Sequence, residues 1–137
     1  MFDIDFLTKA DTSAAAKIEH ECLDTAWSEN QISNLPENAF YLVARQGNAV
    51  FGIASAYCVF DECQIMNIAV SPKFRRMGAG KALIERIFDL GREKGCSVFV
   101  LEVAEGNSGA ISLYERCGFE KAGKRTGMFV MVKSFEF

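Results

Sequence analysis

The sequence predicts an α/β (α+β) fold in which a mixed sheet carries helices on both faces. In the first half of the chain, short apolar runs joined by tight turns indicate hairpins. In the second half, strand and helix patterns alternate, and residues 97–103 are almost entirely apolar, as expected of a strand buried on both sides. With 137 residues, half of them apolar, we expect residues 1–137 to form a single domain with a full core.

Two helices are predicted after the first strand. The strand is indicated by the alternation of residues 2–7. Asp11 or Thr12 then caps a helix whose apolar residues recur at helical spacing. Ser28 is expected to cap a second, short helix, and Pro36 lies just past its end.

The middle of the chain is predicted to form three strands and a long helix. Residues 40–46 and 49–60 flank a Gly-Asn turn and indicate a hairpin. The next strand ends at Val70. The strongest helical pattern covers residues 79–94, and Gly95 is expected to stop that helix.

The last third of the chain completes the sheet. After the strand at 97–103, a helix is expected from Asn107 or Ser108 onward, and residues 119–124 and 128–135 form a closing hairpin. The predicted order is therefore β-α-α-β-β-β-α-β-α-β-β. Hairpins followed by a strand–helix–strand unit predict a mixed sheet.

Residues 67–81 form the most informative stretch of the chain. An apolar strand end leads into a short basic loop, and Gly78 and Gly80 open the following helix. Backbone N–H groups at such a helix start are unpaired and carry partial positive charge, which favours a phosphate ligand. No acidic residue interrupts the run from Ser71 to Ile84, and its cations include Lys73, Arg75, Arg76 and Lys81.

Two common phosphate-binding motifs are excluded by the spacing. A Walker loop requires Ser or Thr after the lysine, where this chain has Ala82, and a dinucleotide fingerprint requires a third glycine where it has Leu83. The remaining pattern, Arg-x-x-Gly-x-Gly, resembles the pyrophosphate-binding motif of the GNAT N-acetyltransferases. A plain helix start with permissive glycines and a solvated basic face is the alternative.

A second motif strengthens the resemblance, which extends over essentially the whole chain. It is the pattern Asn-x-x-Ala-x-x-Leu-Tyr-x-x-x-Gly-Phe, carried by Asn107, Ala110, Leu113, Tyr114, Gly118 and Phe119. Together with the segments 27–29, 67–70 and 101–103, it is most similar to the RimI-type members of the family, which acetylate the N-terminal alanine of a small-subunit ribosomal protein. The resemblance implies the GNAT fold, with a mostly antiparallel seven-stranded sheet.

The resemblance also implies roles for particular residues. Acetyl-coenzyme A would be the co-substrate, and Asn107 would help to bind it. Backbone groups of Ile68, Ala69 and Val70 would hold the thioester and pantetheine arm. The pyrophosphate would be held by the loop of Arg75, Arg76, Met77, Gly78, Ala79, Gly80 and Lys81. Glu102 would be the general base and Tyr114 the general acid.

These residue types fit the chemistry of acetyl transfer to an amine. An α-ammonium is about one-tenth deprotonated at pH 7, so a base must remove its proton. Glu102 ends an apolar strand, where we expect desolvation to raise its pKa. Tyr114 can donate a proton or a hydrogen bond to the leaving thiolate. The alternatives are a structural carboxylate and a tyrosine that only packs in the core.

Composition argues against several functional classes of protein. The net charge of −3 argues against a general nucleic-acid binder, and no apolar run approaches the length of a membrane span. The single histidine, His20, has no metal-ligand spacing around it, so no metal site is expected. The five cysteines form no Cys-x-x-Cys pair and suggest reduced thiols in the cytoplasm.

The acceptor is less well defined than the coenzyme. Residues 1–30 carry seven acids against two lysines, which would suit a basic N-terminal peptide of a ribosomal protein; the acids are Asp3, Asp5, Asp11, Glu19, Glu21, Asp24 and Glu29. However, the link at 124–128 is short and lacks the tyrosine pair usual in RimI-type chains. A small amine (a polyamine or an amino sugar) is therefore an alternative acceptor, and a non-catalytic acyl-coenzyme A sensor is an alternative of another class. Trp27 would line the peptide entrance or staple the two N-terminal helices.

Overall fold

The computed structural model of the protein describes residues 1–136. Its elements follow the predicted order, with two short 3-10 turns added. The strands are β1 (Asp3–Phe6), β2 (Ala39–Gln46), β3 (Ala49–Val59), β4 (Glu62–Val70), β5 (Val98–Ala104), β6 (Glu120–Arg125) and β7 (Met128–Ser134). The helices are α1 (Thr12–Cys22), α2 (Glu29–Ser33), α3 (Ala79–Glu93) and α4 (Ser108–Arg116).

Within residues 1–136, seven strands form one sheet in the order β1-β2-β3-β4-β5-β7-β6. Every neighbouring pair is antiparallel except β4 and β5, which are parallel. The helix α3 connects these two parallel strands, as a crossover must. The prediction of a mixed, mostly antiparallel seven-stranded sheet is therefore confirmed.

The two faces of the sheet are covered differently. On one face α3 and α4 bury a large cluster that includes Leu83, Ile87 and Phe99. On the other face α1 buries a smaller cluster that includes Ile18 and Ile53. We call these the α3 face and the α1 face. The prediction of helices on both faces is therefore confirmed. Separately, no helix within residues 1–136 is long and apolar enough to cross a membrane.

Local sequence signals account for some helix starts but not for all of them. Ser28 caps α2 as predicted, and its Oγ accepts from the backbone N–H of Gln31 at 3.2 Å. Asp11 lies at the N-cap position of α1, but its carboxylate makes no cap bond. It accepts instead from the N–H and hydroxyl of Thr8 and from Arg45, on the neighbouring strand β2. The bonds from Thr8 and a long-range ion pair with Arg45 have replaced the expected cap of α1.

Candidate active site

The strands β4 and β5 separate part of the way along the sheet. They pair only at Glu62–Val98, Cys63–Phe99 and Gln64–Val100. Beyond Gln64, β4 keeps β3 as its partner on one side and has no strand partner on the other among the described residues. Ile68, Ala69 and Val70 therefore lie at an open edge inside the sheet, where a ligand can pair with backbone groups.

A bulge marks the point where the open edge begins. Ser55 is opposite Asn67 and Ala56 is opposite Ile65, so Met66 has no partner on β3. A bulge of this kind turns the strand and increases its twist. It helps to direct the end of β4 away from β5.

The loop before α3 and the first turn of α3 carry a row of unpaired backbone donors. Among the described residues, the six N–H groups from Arg76 to Lys81 have no hydrogen-bond partner, and the first helical bond runs from Ala82 N to Gly78 O at 3.0 Å. Arg76 and Gly78 both have left-handed backbone conformations, with φ of 69° and 83°. Successive N–H groups in such a turn, placed at a helix N-terminus, favour an anion.

The two glycines of the motif differ in the space around them. A Cβ at Gly78 would meet nothing within 4 Å, so its positive φ is what favours glycine there. A Cβ at Gly80 would lie 3.0 Å from Leu113 Cδ2, on α4. Gly80 therefore allows α3 to approach α4 closely, which is a packing role that the motif did not predict.

The basic side chains near this loop are not equivalent. Arg75 donates from Nε to the carbonyl of Val70 at 3.1 Å, and its Nη2 lies 4.0 Å from the Sγ of Cys22. It therefore holds the end of β4 against α1. Arg76 is exposed on the loop, and Lys81 is exposed in the first turn of α3.

Glu102 lies on the α1 face of β5. Its neighbours Leu101 and Val103 are buried on the other face, against α3 and α4. The carboxylate is 37 % exposed, and its Oε1 accepts from Arg125 Nη2 at 2.8 Å. The expectation of a desolvated carboxylate is wrong, because the strand is buried on its α3 face while Glu102 projects from the open one.

Tyr114 lies on α4, on the α3 face, and is 9 % exposed. Its ring packs edge-on against Phe119, with ring centroids 6.0 Å apart. Burial raises the pKa of Tyr114 to about 12, with a smaller contribution from the neighbouring Cys117 thiol. The phenol therefore remains protonated through the physiological range and keeps its hydroxyl hydrogen available for donation.

Asn107 caps α4. Its Oδ1 accepts from the backbone N–H of Ala110 at 3.2 Å. Within residues 1–136 its side-chain amide N–H groups have no partner, so one end of the side chain is fixed and the other can donate to a ligand.

A buried carboxylate in α1 was missed by the sequence analysis. Glu19 is 0 % exposed and accepts three hydrogen bonds: from Trp27 N at 2.8 Å, from Asn67 Nδ2 at 2.8 Å and from the Tyr41 hydroxyl at 2.5 Å. Burial raises the pKa of Tyr41, and Glu19 raises it further, so the phenol stays a donor. Glu19 comes four residues after the buried Ala15, and this helical spacing was the available signal.

The position of Glu19 corrects the predicted acidic surface. Glu19 belongs to the interior, while Glu21, Asp24 and Glu29 are exposed. Trp27 packs beside Tyr41, with ring centroids 6.5 Å apart, and remains half-buried. Its backbone bond to Glu19 ties the connection between α1 and α2 to β4.

Taken together, these groups lie at the N-terminus of α3 and on both faces of the sheet. The unpaired N–H groups lie at the N-terminus of α3, and α3 and Tyr114 pack on one face of the sheet. Glu102 lies on the opposite face. The phenol and the carboxylate therefore lie on opposite faces of the sheet, and Glu102 lies two residues beyond the last pair that joins β5 to β4.

Comparisons with known proteins identify a family and several relatives of this chain. Residues 5–119 match the model of the acetyltransferase (GNAT) family. The chain is 35% identical over 130 residues to the ribosomal protein bS18-alanine N-acetyltransferase of Escherichia coli K12, which covers 94% of this chain and 88% of that protein. The crystal structure of the ribosomal-protein-S18-alanine N-acetyltransferase from Escherichia coli has a TM-score of 0.87 at 31% identity, covering 100% and 96% of the two chains. An N-acetyltransferase from Thermoplasma acidophilum, in complex with coenzyme A, shares the fold at 18% identity, with a TM-score of 0.85 and 98% and 99% coverage.

Proposed function

This chain belongs to the acetyltransferase (GNAT) family and is an N-acetyltransferase, and we propose that it acetylates the N-terminal alanine of a small-subunit ribosomal protein, with residues 1–137 acting as one catalytic domain. The observation that carries the proposal is the placement of Glu102 on the open face of β5, beside the gap in the sheet. The named activity of the Escherichia coli relative supports alanine as the acceptor residue.

Acetyl-coenzyme A is the proposed acetyl donor. The six unpaired N–H groups from Arg76 to Lys81 would bind its pyrophosphate, helped by the charges of Arg76 and Lys81. Arg75 would act by holding the end of β4. The open edge at 68–70 would pair with the pantetheine amides, and the free amide of Asn107 would donate to the same ligand.

Glu102 is the proposed base. Its Oε1 is held by Arg125, and a carboxylate has further lone pairs that can accept a proton from the acceptor amine. The amine is then free to attack the carbonyl of the thioester. The pKa of an ordinary α-amine is near 8, so a neighbouring carboxylate need only assist its deprotonation at neutral pH.

Tyr114 is the proposed hydrogen-bond donor to the departing sulfur. Its pKa of about 12 is several units above that of an ordinary thiol, near 8.5. Full proton transfer from Tyr114 would therefore be strongly uphill. The phenol stabilises the thiolate by donating a hydrogen bond, and it keeps its proton.

A small amine is the second candidate acceptor. The turn between β6 and β7 consists of Thr126 and Gly127 and carries no tyrosine. This short turn leaves the face beside Glu102 open, which would accommodate a polyamine or an amino sugar. A non-catalytic sensor needs neither Glu102 nor Tyr114. Detection of turnover would by itself reject that alternative.

The test compares the rates of acetyl transfer to different acceptors, and the effects of substituting two similar carboxylates. Mass spectrometry follows acetyl transfer to Ala-initiated peptides, polyamines and amino sugars. We expect the peptides to be acetylated and Glu102→Gln to lower turnover by about 10²–10⁴-fold, with unchanged affinity for acetyl-coenzyme A. Glu105→Gln is the control, because Glu105 directly follows β5 and pairs at 3.0 Å with Lys124, the neighbour of Arg125 on β6.

Two outcomes would contradict the proposal. Acetylation of small amines without any peptide product would reject the ribosomal acceptor. Equal turnover in Glu102→Gln and Glu105→Gln would show that Glu102 is not the base.

A further inference from the structure

Part of the α1 face carries a strip of valines that belongs to neither hydrophobic cluster. Val98 and Val100 lie on β5, and Val130 and Val132 on β7; all four are half-buried. Val100 is directly opposite Val132, and Glu102 is opposite Val130. We call these four residues the valine strip. The buried cluster beneath α1 contains none of them.

The strip continues from the proposed base. Side chains alternate along β5, so Val98, Val100 and Glu102 share one face. The distance from Glu102 to Val98 is four residues, or about 13 Å along a strand. A peptide whose N-terminal amine reaches Glu102 can therefore lay its following residues on the valines.

The strip has a carboxylate on each side. Glu62 on β4 is opposite Val98, and Glu120 on β6 is opposite Val132. Within residues 1–136 neither carboxylate forms an ion pair, although Glu62 accepts a hydrogen bond from Gln64. An apolar strip between two unpaired carboxylates matches an extended segment in which apolar and cationic side chains alternate.

We propose that the valine strip binds the acceptor polypeptide behind its N-terminal residue and selects an extended segment with alternating apolar and cationic side chains. This inference rests on the proposed peptide acceptor. A second copy of the chain is a poorer occupant, because a face-to-face two-fold interface would bring each acidic flank close to an acidic flank of its partner.

The experiment uses three acceptors and the intact enzyme. One peptide has six residues, begins with alanine, and carries valine at positions 3 and 5 and lysine at positions 4 and 6. The second replaces both valines by serine, and the third is an alanyl dipeptide amide, too short to reach Val98. An extended six-residue peptide spans about 20 Å, enough to cover the strip.

We expect the wild-type enzyme to show about tenfold higher kcat/KM for the valine peptide than for the serine peptide, the size of effect that apolar contacts give. Val132→Lys should raise the KM of the valine peptide about tenfold. The kcat/KM for the dipeptide amide and the affinity for acetyl-coenzyme A should stay unchanged. Unchanged values would also show that the variant is folded. Phe6→Lys is the control, because Phe6 is a half-exposed apolar residue on the distant edge strand β1.

Three results would overturn the inference. Equal rates with the valine and serine peptides would mean that the strip does not contact the acceptor. If Val132→Lys raised the KM of the dipeptide amide by a similar factor, the substitution would be acting on the region around Glu102 and not on the strip. A wild-type dimer that becomes monomeric in Val132→Lys, measured by sedimentation, would assign the strip to an interface between copies. Failure of every peptide while small amines react would instead reject the proposed function itself.

Discussion

At the residue scale, the two groups proposed to act on the reaction differ in their contact with water. Tyr114 is buried among the side chains of the α3 face, and Glu102 is exposed and held by Arg125. Arg125 is itself 73 % exposed, so this pair contributes little to stability. Its consequence is to restrain the orientation of the carboxylate.

The first residue-scale prediction concerns Tyr114→Phe. The ring and its packing remain, so the free energy of unfolding should change little. Turnover should fall about 10- to 100-fold, because a hydrogen bond to a charged group contributes about 1.5–3 kcal/mol. The dependence of turnover on pH between 6 and 9 should keep its shape, since a phenol with a pKa of about 12 does not titrate there. Steady-state rates across this range test it, and full activity would make Tyr114 a packing residue.

The second residue-scale prediction concerns the acid stability conferred by Asp11. The Arg45 guanidinium, at 2.8 Å, lowers the pKa of Asp11 to about 2, and the bonds from Thr8 contribute. The lowered pKa means that this stabilisation is fully present above about pH 4 and is lost as the pH falls towards 2. Asp11→Asn should therefore lower the free energy of unfolding by about 1–2 kcal/mol at pH 7 and by almost nothing near pH 2.

Urea unfolding at the two pH values measures this difference. The control is Asp5→Asn, because Asp5 pairs with the same Arg45 but is 50 % exposed and should contribute less. A loss at pH 7 that persists at pH 2 would show that Asp11 acts through its shape and not its charge.

At the element scale, the N-terminus of α3 depends on backbone conformation. Gly78 has a φ of 83°, which a residue with a Cβ adopts at a cost of about 1–2 kcal/mol. The N–H groups that follow it are unpaired. A change in this turn should therefore alter anion binding before it alters the rest of the helix.

The element-scale prediction compares two glycines. Gly78→Ala should weaken the binding of acetyl-coenzyme A by about 5- to 30-fold, since strain of about 1–2 kcal/mol corresponds to such a factor. Gly106→Ala is the control, because a Cβ there meets nothing within 4 Å and its φ is not positive. Calorimetric titration of both variants decides it. Equal affinities would mean that the loop is only a helix start.

The elements differ in how far the sequence could predict them. The caps at Ser28 and Asn107 depend on residues within one turn, so local sequence was sufficient. The separation of β4 from β5, the bulge at Met66 and the bond between Arg125 and Glu102 depend on residues far apart in the chain. Local patterns carry no information on such pairings. A bulge of one residue also moves every later side chain of the strand to the opposite face of the sheet from the one expected.

At the scale of the whole molecule, the sheet is two sections joined at β4 and β5 by three residue pairs and the helix α3. A ligand in the gap would add contacts to both sections. It would also supply partners for the backbone groups that have none, and a ligand that binds only the folded protein stabilises it.

The whole-molecule prediction is a pattern of hydrogen exchange. In the free protein, the amides of residues 76–81 should exchange rapidly, because they lack acceptors. Saturating acetyl-coenzyme A should slow them strongly. The amides of the buried Leu42 and Ile53 should be slow in both states, since both residues lie within paired strands. Protection spread evenly over the chain would indicate general stabilisation without binding at this loop.

The placement of the two proposed binding regions on opposite faces of the sheet has a consequence for how large an acceptor can be. The coenzyme would enter and leave on the side of α3 and α4, while the acceptor rests on the side of Glu102. A bulky body attached behind the acceptor's first residues would therefore not obstruct the exchange of spent coenzyme. The enzyme could therefore acetylate the exposed N-terminal tail of a ribosomal protein within an assembled particle. It could then exchange its coenzyme while that particle remains bound.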